Sequence, residues 1–284
     1  MQFTKLQDII DHLRMELSVD YEKSEALAII RWMLSEYLGL SATAMITSAD
    51  KTIPLWEQEK LWSVLTELKK FKPIQYITGH CVFCDLTFNV NEHVLIPRPE
   101  TEELVQWILK DYRGYSYSLL DIGTGSGCIA ISLAKKMRDA KISAMDVSPY
   151  ALKMANNNAD LNNVNIRFYE DSIVNICHNY PKYNVIVSNP PYITEDEKKF
   201  MHANVLNYEP ALALFTENDQ PLKYYIAVLN FAEKYLEKRG KIYFEINPLF
   251  ADLLFNEISR RDAYFIKFKN DLSGKKRMLR LIKK

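Results

Sequence analysis

The chain contains little that suggests export, a membrane or a general affinity for polyanions. Lys+Arg and Asp+Glu both number 36 in 284 residues. A net charge of zero argues weakly against binding of nucleic acid through a general positive field, although it leaves room for a local basic patch. No apolar run reaches the ~18 residues that a membrane-spanning helix needs. The first residues lack the apolar core of a signal peptide. We therefore expect a cytoplasmic protein with no membrane association.

Cysteine and histidine are also scarce, with four and five copies. Cys81 and Cys84 have the C-x-x-C spacing, but a zinc ribbon needs a second such pair, which the sequence lacks. A disulfide framework is not expected in a chain of this size without an export signal. We predict that both cysteines are unpaired structural thiols in a strand. The histidines show no metal-ligand spacing, so no metal is assigned.

The hydrophobic pattern predicts three segments. Residues 1–72 have apolar side chains at three- and four-residue steps, which predicts a small helical bundle. The stripe Leu61, Trp62, Leu65 and Leu68 on a helix from Leu55 to Lys70 is most simply its core, with an interaction surface as the alternative. Residues 73–99 predict a hairpin linker, and residues 100–284 a larger domain.

Short β-strands are expected within that linker, after Pro73. They are Tyr76–Gly79, Cys81–Phe83 and Leu86–Val90. Thr101-Glu102-Glu103 is expected to cap the helix that opens the larger domain.

Strands and helices alternate after residue 117, which predicts a parallel sheet covered on both faces. The expected helices are Cys128–Met137, Pro149–Leu161 and Leu222–Leu236. The expected strands are Ser118–Ile122, Lys141–Val147, Ile166–Tyr169, Asn184–Ser188 and Lys241–Ile246, with Ala263–Lys269 and Met278–Ile282 as an antiparallel edge hairpin.

A glycine-rich loop follows the first strand of this domain. Gly123-Thr124-Gly125-Ser126-Gly127 places three of the eight glycines at a strand-to-helix turn, where a ligand can approach the main chain. The dinucleotide fingerprint would need glycine or alanine at position 128, but the residue is Cys128 and the third glycine comes one residue early. The loop therefore favours S-adenosylmethionine over NAD.

Two acidic positions follow the next two strands. Asp146 ends the second strand, nineteen residues after Gly127, where a carboxylate can accept both ribose hydroxyls; the alternative is a cap on the following helix. Asp171, or the neighbouring amide of Ser172, could bind the adenine amino group, although a turn-forming aspartate explains it nearly as well.

Asn189-Pro190-Pro191-Tyr192 follows a buried strand, at the end where such sheets bind ligands. The Asn189 oxygen and the Pro190 carbonyl can each accept one N–H of a planar nitrogen, and the Tyr192 ring can stack on it. Asn189, Pro190 and Tyr192 are the predicted catalytic residues; with Pro191 they form the predicted substrate site, and Asn189 also borders the cofactor. The alternative is a simple Asn-Pro turn.

These segments resemble the HemK/PrmC family of protein-glutamine methyltransferases, which modify class 1 translation release factors. The resemblance covers nearly the whole chain. Further matching segments are Pro73–Gly79, Leu95–Glu102, Tyr208-Glu209-Pro210, Asp271–Lys275 and Arg277.

The resemblance implies a seven-stranded, Rossmann-like class I methyltransferase domain (α/β) after a β-hairpin linker and a release-factor-binding helical bundle. It implies S-adenosylmethionine as cofactor and the glutamine of a Gly-Gly-Gln loop as acceptor. Residues 96–101 would lie beside the methyl and methionine end of the cofactor. The family often has an aromatic residue beside the aspartate after the third strand, where this chain has Ser172 and Ile173 after Asp171.

Two rival functions fit parts of the pattern. An N6-adenine nucleic-acid methyltransferase also acts on a planar nitrogen, but it needs a flipped base and a basic channel. The candidates for such a channel are Lys267, Lys269, Lys275, Lys276, Arg277, Arg280, Lys283 and Lys284. The second rival is an inactive scaffold that binds cofactor and release factor. The intact Asn-Pro-Pro-Tyr segment argues against it.

Overall fold

The structure is a computed structural model that describes residues 5–112 and 117–284. The first four residues of the predicted bundle and residues 113–116 of the predicted larger domain lie outside this range. Among the described residues, no helix combines the length and apolar character needed to span a bilayer.

The described helices and strands, in chain order, are as follows. The helices are α1 (Leu6–Leu17), α2 (Lys23–Leu38), α3 (Ala42–Thr47), α4 (Leu55–Leu68), α5 (Ile74–Thr78), α6 (Pro99–Asp111), α7 (Cys128–Lys136), α8 (Pro149–Leu161), α9 (Ala203–Tyr208), α10 (Ala211–Leu214), α11 (Lys223–Tyr235) and α12 (Ala251–Arg261). The strands are β1 (His80–Phe83), β2 (Leu86–Asn89), β3 (Ser118–Ile122), β4 (Lys141–Asp146), β5 (Arg167–Glu170), β6 (Tyr183–Ser188), β7 (Ile193–Thr194), β8 (Phe215–Thr216), β9 (Leu236–Glu245), β10 (Tyr264–Asn270) and β11 (Lys276–Lys283). Short 3₁₀ helices cover Glu195–Phe200 and Pro248–Phe250.

The described residues form two compact units. The first unit contains the chain up to Thr78 together with α9, and the second contains Gly79–His202 and Glu209–Lys284. Within the first unit, the Tyr208 hydroxyl donates to the carbonyl of Lys70 at 3.0 Å. A boundary drawn along the sequence near residue 72 could not include α9, because that helix is far away in the chain.

The first unit is a helical bundle with an apolar core between α1, α2 and α4. Leu61, Leu65 and Leu68 of the predicted stripe are buried there, which confirms that they belong to the core. Trp62 is half-buried and packs edge-on against His12, with ring centroids 5.4 Å apart. The exposed apolar residues of α4 are instead near its start.

The predicted strand Tyr76–Gly79 is wrong, because this segment forms α5. The amides of Tyr76 and Ile77 donate to the carbonyl of Pro73 at 3.0 and 3.1 Å, which closes a helical turn. Gly79, with φ of +79°, ends it. Aromatic and β-branched residues favour strands, but burial of Ile74 and Tyr76 in a helical turn outweighs that preference here.

The predicted hairpin is present as the antiparallel pair β1–β2. Cys84 and Asp85 both adopt positive φ at its turn, and the Cys84 amide donates to Glu102 Oε1 at 2.8 Å, which holds this unusual backbone. All four thiols are free. Burial raises the pKa of Cys81 to about 12 and that of Cys84 to about 11, so both behave as inert apolar groups.

The central sheet of the second unit has seven strands in the order β10-β11-β9-β6-β3-β4-β5. The strands from β9 to β5 are parallel, and β11 is antiparallel to both neighbours, which confirms the predicted class I architecture. The chain runs outward from β3 through β4 and β5, then returns to the other side of β3 with β6. This reversal opens a crevice at the carboxyl ends of β3 and β6.

Several element boundaries differ from those predicted. α6 begins at Pro99 after Arg98, two residues before the predicted Thr101 cap, because proline suits the first helical turn. β9 begins at Leu236 instead of Lys241, and its pairing with β6 is irregular near Tyr183. β3 and α8 have the predicted bounds.

Candidate active site

A cavity of about 330 Å³ lies at the carboxyl ends of β3, β4 and β6. Its walls contain most of the residues predicted from sequence; only Gly127 and Tyr192 among them do not line it. The predicted residues that do are Gly123, Thr124, Gly125, Ser126, Asp146, Asp171, Ser172, Asn189, Pro190 and Pro191. Thus the cofactor and substrate predictions, made on separate segments, meet in one cavity.

The three glycines of the loop are required for two different structural reasons. All have positive φ, at +73° for Gly123, +56° for Gly125 and +83° for Gly127. A Cβ on Gly123 or Gly125 would meet nothing within 4 Å, so their open faces leave room for a ligand. A Cβ on Gly127 would lie 2.8 Å from Ile131 Cδ1 and 3.2 Å from Ala155 Cβ. Gly127 therefore serves helix packing.

Asp146 ties the glycine loop to the next strand. Its Oδ2 accepts from the Gly125 amide at 2.8 Å, and its Oδ1 from the Ser148 amide at 2.9 Å. Burial raises the pKa of this carboxyl, and the backbone hydrogen bonds only partly oppose that. The helix cap considered as an alternative for Asp146 is provided by Ser148, whose hydroxyl accepts from the Ala151 amide at 3.2 Å.

Asp171 organises its own loop. Its carboxylate accepts from the amides of Ser172, Cys177 and His178 and, at 2.8 Å, from the Tyr180 hydroxyl. Burial alone would raise its pKa, but these hydrogen bonds outweigh burial and lower it. With both oxygens engaged, Asp171 fixes the cavity wall, and the adenine contact predicted for Asp171 and Ser172 stays a prediction.

The Asn-Pro-Pro-Tyr segment is held from behind by β9 and α6. Asn189 Nδ2 donates to Thr101 Oγ1 at 3.3 Å, and the Thr101 hydroxyl donates to Glu245 Oε2 at 2.6 Å. The Tyr192 hydroxyl donates to Glu245 Oε1 at 3.0 Å. Asn247 Nδ2 donates to the Tyr192 carbonyl at 3.1 Å. These hydrogen bonds hold the segment in one conformation from both of its ends. A simple Asn-Pro turn would not require such support.

A further part of the cavity wall comes from the segment Leu95–Arg98. Glu209, which is buried, accepts from the Ile96 amide at 3.2 Å and from Arg98 Nη2 at 2.5 Å. Pro97, Arg98 and Thr101 line the cavity. The carboxylate of Glu209 thus fixes the backbone on one side of Pro97 and the side chain on the other.

The supporting roles of four residues do not follow from the sequence pattern: Thr101, Glu209, Glu245 and Asn247. The sequence predicts that Thr101 caps a helix and, by resemblance, lies beside the cofactor; its hydroxyl bonds to a residue 144 positions away. A signal for Glu245 was present, because this carboxylate directly follows the apolar run Ile242–Phe244 at the end of β9. Buried charges at strand ends are rarely tolerated without a partner.

Four residues of the basic C-terminal stretch pair with carboxylates. They are Lys276 with Asp252, Arg277 with Asp271, Arg280 with Asp111, and Lys284 with Asp262. These pairings reduce the positive charge that the stretch could offer to a phosphate backbone, which disfavours the nucleic-acid alternative.

Known families match both parts of the chain. A PrmC N-terminal domain matches residues 8–79, and a Methyltransferase small domain matches residues 99–213. A release factor glutamine methyltransferase of Flavobacterium psychrophilum is 40% identical, over 92% of this chain and 93% of that protein. One of Bacteroides thetaiotaomicron is 38% identical, over 95% and 98%.

The chain belongs to the release factor glutamine methyltransferase family. This confirms the resemblance seen in the sequence and makes the protein an S-adenosylmethionine-dependent methyltransferase. Solved structures agree on the fold. The hMettl16 catalytic domain, solved with an RNA hairpin, has a TM-score of 0.54 at 16% identity, covering 70% of this chain and 75% of that one. Human methyltransferase 10 domain containing protein has a TM-score of 0.51 at 16% identity, covering 70% and 89%.

The cavity suits the cofactor of this family. The open faces of Gly123 and Gly125 leave space for a ligand against the main chain. Asp146 lies in the same cavity, where its carboxylate can accept from the hydroxyls of a ribose. Ile122, Met145 and Val174 give the cavity apolar walls that suit the flat ring of a nucleoside. S-adenosylmethionine, when bound, supplies an electrophilic methyl group on a sulfonium.

Proposed function

We propose that this enzyme methylates the side-chain amide nitrogen, N5, of the glutamine in the Gly-Gly-Gln loop of class 1 release factors. The observation that carries the proposal is the orientation of Asn189. Its Nδ2 is committed to Thr101, and its Oδ1 accepts no hydrogen bond from the described residues, so the oxygen is free for a substrate in the cavity.

A carboxamide nitrogen is a poor nucleophile because its lone pair is delocalised into the carbonyl. Asn189 Oδ1 and the Pro190 carbonyl would each accept one of its N–H bonds, which leaves the lone pair facing the methyl donor. Pro190 and Pro191 restrict the backbone that carries these acceptors. The residues act by alignment, so no base of altered pKa has to remove a proton before transfer.

We further propose that residues 1–72 bind the release factor, that residues 73–99 link the two domains, and that residues 100–284 hold the cofactor. In this proposal Gly123, Thr124, Gly125 and Ser126 face the methionine and ribose parts of the cofactor, Asp146 binds the ribose hydroxyls, and Ser172 lies near adenine. The names of the relatives support the choice of a release factor as substrate. A cytoplasmic location follows from that substrate.

The test is transfer of a labelled methyl group to purified release factor, DNA and RNA in parallel. We expect label on the release factor alone, with one added methyl located on the Gly-Gly-Gln glutamine by mass spectrometry. A release factor carrying asparagine at that position is the matched control and should remain unlabelled. Label on nucleic acid would instead support the adenine-type alternative, and no transfer at all would support the scaffold.

A further inference from the structure

Glu245 is a buried carboxylate placed next to the proposed catalytic segment. It is the last residue of β9, in which Phe244 pairs with Ser188 of the neighbouring parallel strand β6. Asn189 and Glu245 therefore both lie at the carboxyl ends of adjacent strands. Glu245 is 1% exposed, and both of its oxygens accept hydroxyl protons, one from Thr101 and one from Tyr192. Burial raises its pKa, while these two bonds and the positive charge of Arg277 oppose that.

With Glu245 ionised, as the charge of Arg277 and the two hydroxyl donors favour, the hydrogen bonds from Glu245 to Asn189 have one direction. An ionised carboxylate is an acceptor only, and a threonine hydroxyl carries one proton. Because the ionised carboxylate can only accept, the Thr101 proton lies in the 2.6 Å contact with Glu245. Thr101 Oγ1 can therefore only accept from Asn189, which must turn its NH₂ towards Thr101 at 3.3 Å.

This direction matters because the two ends of an asparagine amide are nearly identical in shape. A flipped Asn189 would present NH₂ to the NH₂ of the substrate glutamine, donor against donor, and no hydrogen bond could form. If Asn189 lost its hydrogen bond to Thr101, worth about 1 kcal/mol, the flipped orientation would compete with the one that faces its oxygen to the substrate.

We propose that Glu245 is a positioning residue that, through Thr101, fixes Asn189 with its oxygen towards the substrate amide and, directly, holds the Tyr192 hydroxyl. The inference rests on the proposed function, because it assigns an orientation to the acceptor of that reaction. One buried charge thereby aligns the side chains on both sides of Pro190-Pro191.

The first test removes the Thr101 hydroxyl without changing the shape of the side chain. Thr101→Val should reduce kcat for release-factor methylation on the order of tenfold, as expected for loss of a hydrogen bond worth 1–1.5 kcal/mol. The Kd for S-adenosylmethionine should change less than about twofold, because valine keeps the shape that Thr101 presents to the cavity. Thr101→Ser, which keeps the hydroxyl, should recover most of the turnover.

A matched control is Thr216→Val, which removes another buried threonine hydroxyl. That hydroxyl donates to the Gln220 carbonyl, and its loss should lower stability without a fall in kcat. Thermal unfolding of each variant separates a folding defect from an effect on turnover.

The second test removes the charge at the start of the relay. In Glu245→Gln one acceptor oxygen becomes an NH₂ donor, so either Thr101 or Tyr192 has to accept from residue 245. Where Thr101 accepts, its proton becomes available to the oxygen of Asn189, which favours the flipped amide; where Tyr192 accepts, Thr101 donates to a neutral and weaker acceptor. We expect kcat to fall at least as far as in Thr101→Val. The double variant Glu245→Gln/Thr101→Val should be no slower than Glu245→Gln alone, because both changes break one relay.

The outcomes separate this inference from the proposed function. If wild-type enzyme fails to methylate the release factor, the proposed function is overturned, and the orientation assigned to Asn189 with it. If wild-type enzyme transfers the methyl group but Thr101→Val keeps full kcat, or if the two changes are fully additive, the relay alone is overturned.

Discussion

At the residue scale, three aspartates near the glycine loop have different environments and different expected roles. Asp146 lines the cavity and holds the Gly125 amide, Asp171 holds its own loop, and Asp121 is fully buried beneath Thr124. Burial and hydrogen bonding, and not residue type, set what each carboxylate can do.

Asn189→Ala should lower kcat on the order of 10²-fold, because misplacement of the acceptor nitrogen costs about that much in an aligned reaction. The cofactor affinity should stay nearly constant, since the side chain acts on the acceptor. Steady-state kinetics with release factor, together with a cofactor titration, measures both quantities. An unchanged kcat would remove Asn189 from the mechanism.

Asp146→Ala should raise the Kd for S-adenosylmethionine by roughly 10- to 100-fold, as a hydrogen bond to a charged group contributes about 1.5–3 kcal/mol. The change also releases the Gly125 amide. Calorimetric titration measures the affinity, and Asp219→Ala on an exposed turn is the control. If both variants bind equally well, the ribose assignment is wrong.

Asp121 should make stability depend on pH. Burial raises its pKa from 3.8 to about 7, so the folded state binds this proton more tightly than the unfolded state. Its contribution to stability is therefore full below about pH 4 and is lost as the pH rises towards 7.

Asp121→Asn removes this titration. The free energy of unfolding of the variant relative to wild type should rise by up to about 4 kcal/mol between pH 4 and pH 8. Urea unfolding at several pH values tests this, and titrating groups that do not interact with Asp121 cancel in the comparison. A difference that does not vary with pH would contradict the raised pKa.

At the element scale, the strand-to-helix turn after β3 depends on close packing of α7 against α8. Gly127 precedes α7 and has no room for a Cβ, since Ile131 and Ala155 are in the way. Gly274, between β10 and β11, has the same φ of +83° with nothing within 4 Å of a Cβ. An alanine at either position would meet the same backbone strain, but only the alanine at 127 would also clash with neighbouring side chains.

Gly274→Ala should lose about 1–2 kcal/mol of stability from left-handed backbone alone. Gly127→Ala should lose a further 1–3 kcal/mol, roughly, because the added methyl overpacks the helix contact. Thermal or urea unfolding of both variants measures the difference. Equal losses would show that α7 and α8 can move apart at little cost.

At the scale of the whole molecule, the two compact units are expected to have separate tasks. The second unit contains the complete cavity, because every residue that lines it belongs to that unit. The first unit buries the predicted apolar stripe of α4 yet exposes Leu55 and Trp56 at its start. An exposed tryptophan is a frequent anchor in protein interfaces.

Trp56→Ser should therefore raise the KM for intact release factor roughly tenfold or more, as expected for loss of an interface anchor. The KM for a short Gly-Gly-Gln peptide should stay unchanged, because a peptide reaches only the cavity. Kinetics with both substrates on one enzyme preparation make the comparison. An equal rise for both substrates would place Trp56 outside a release-factor interface.

The sequence by itself determined the local elements and the chemistry they offer. Each of these chemical features can be recognised from a few neighbouring residues in the chain. They are the glycines at 123, 125 and 127, the acid at 146 and the segment Asn189–Tyr192. The bounds of β3 and α8 follow from local periodicity and from proline at the helix start.

Tertiary structure alone decided which side chains brace that chemistry. Thr101, Glu245 and Asn189 come from three distant parts of the chain, and their meeting depends on the order of strands in the sheet. The same holds for Tyr76, whose preference for a strand was overruled by burial in a helical turn. Local propensity is worth a fraction of a kcal/mol, whereas burial of a large side chain or pairing of a buried charge is worth several times more.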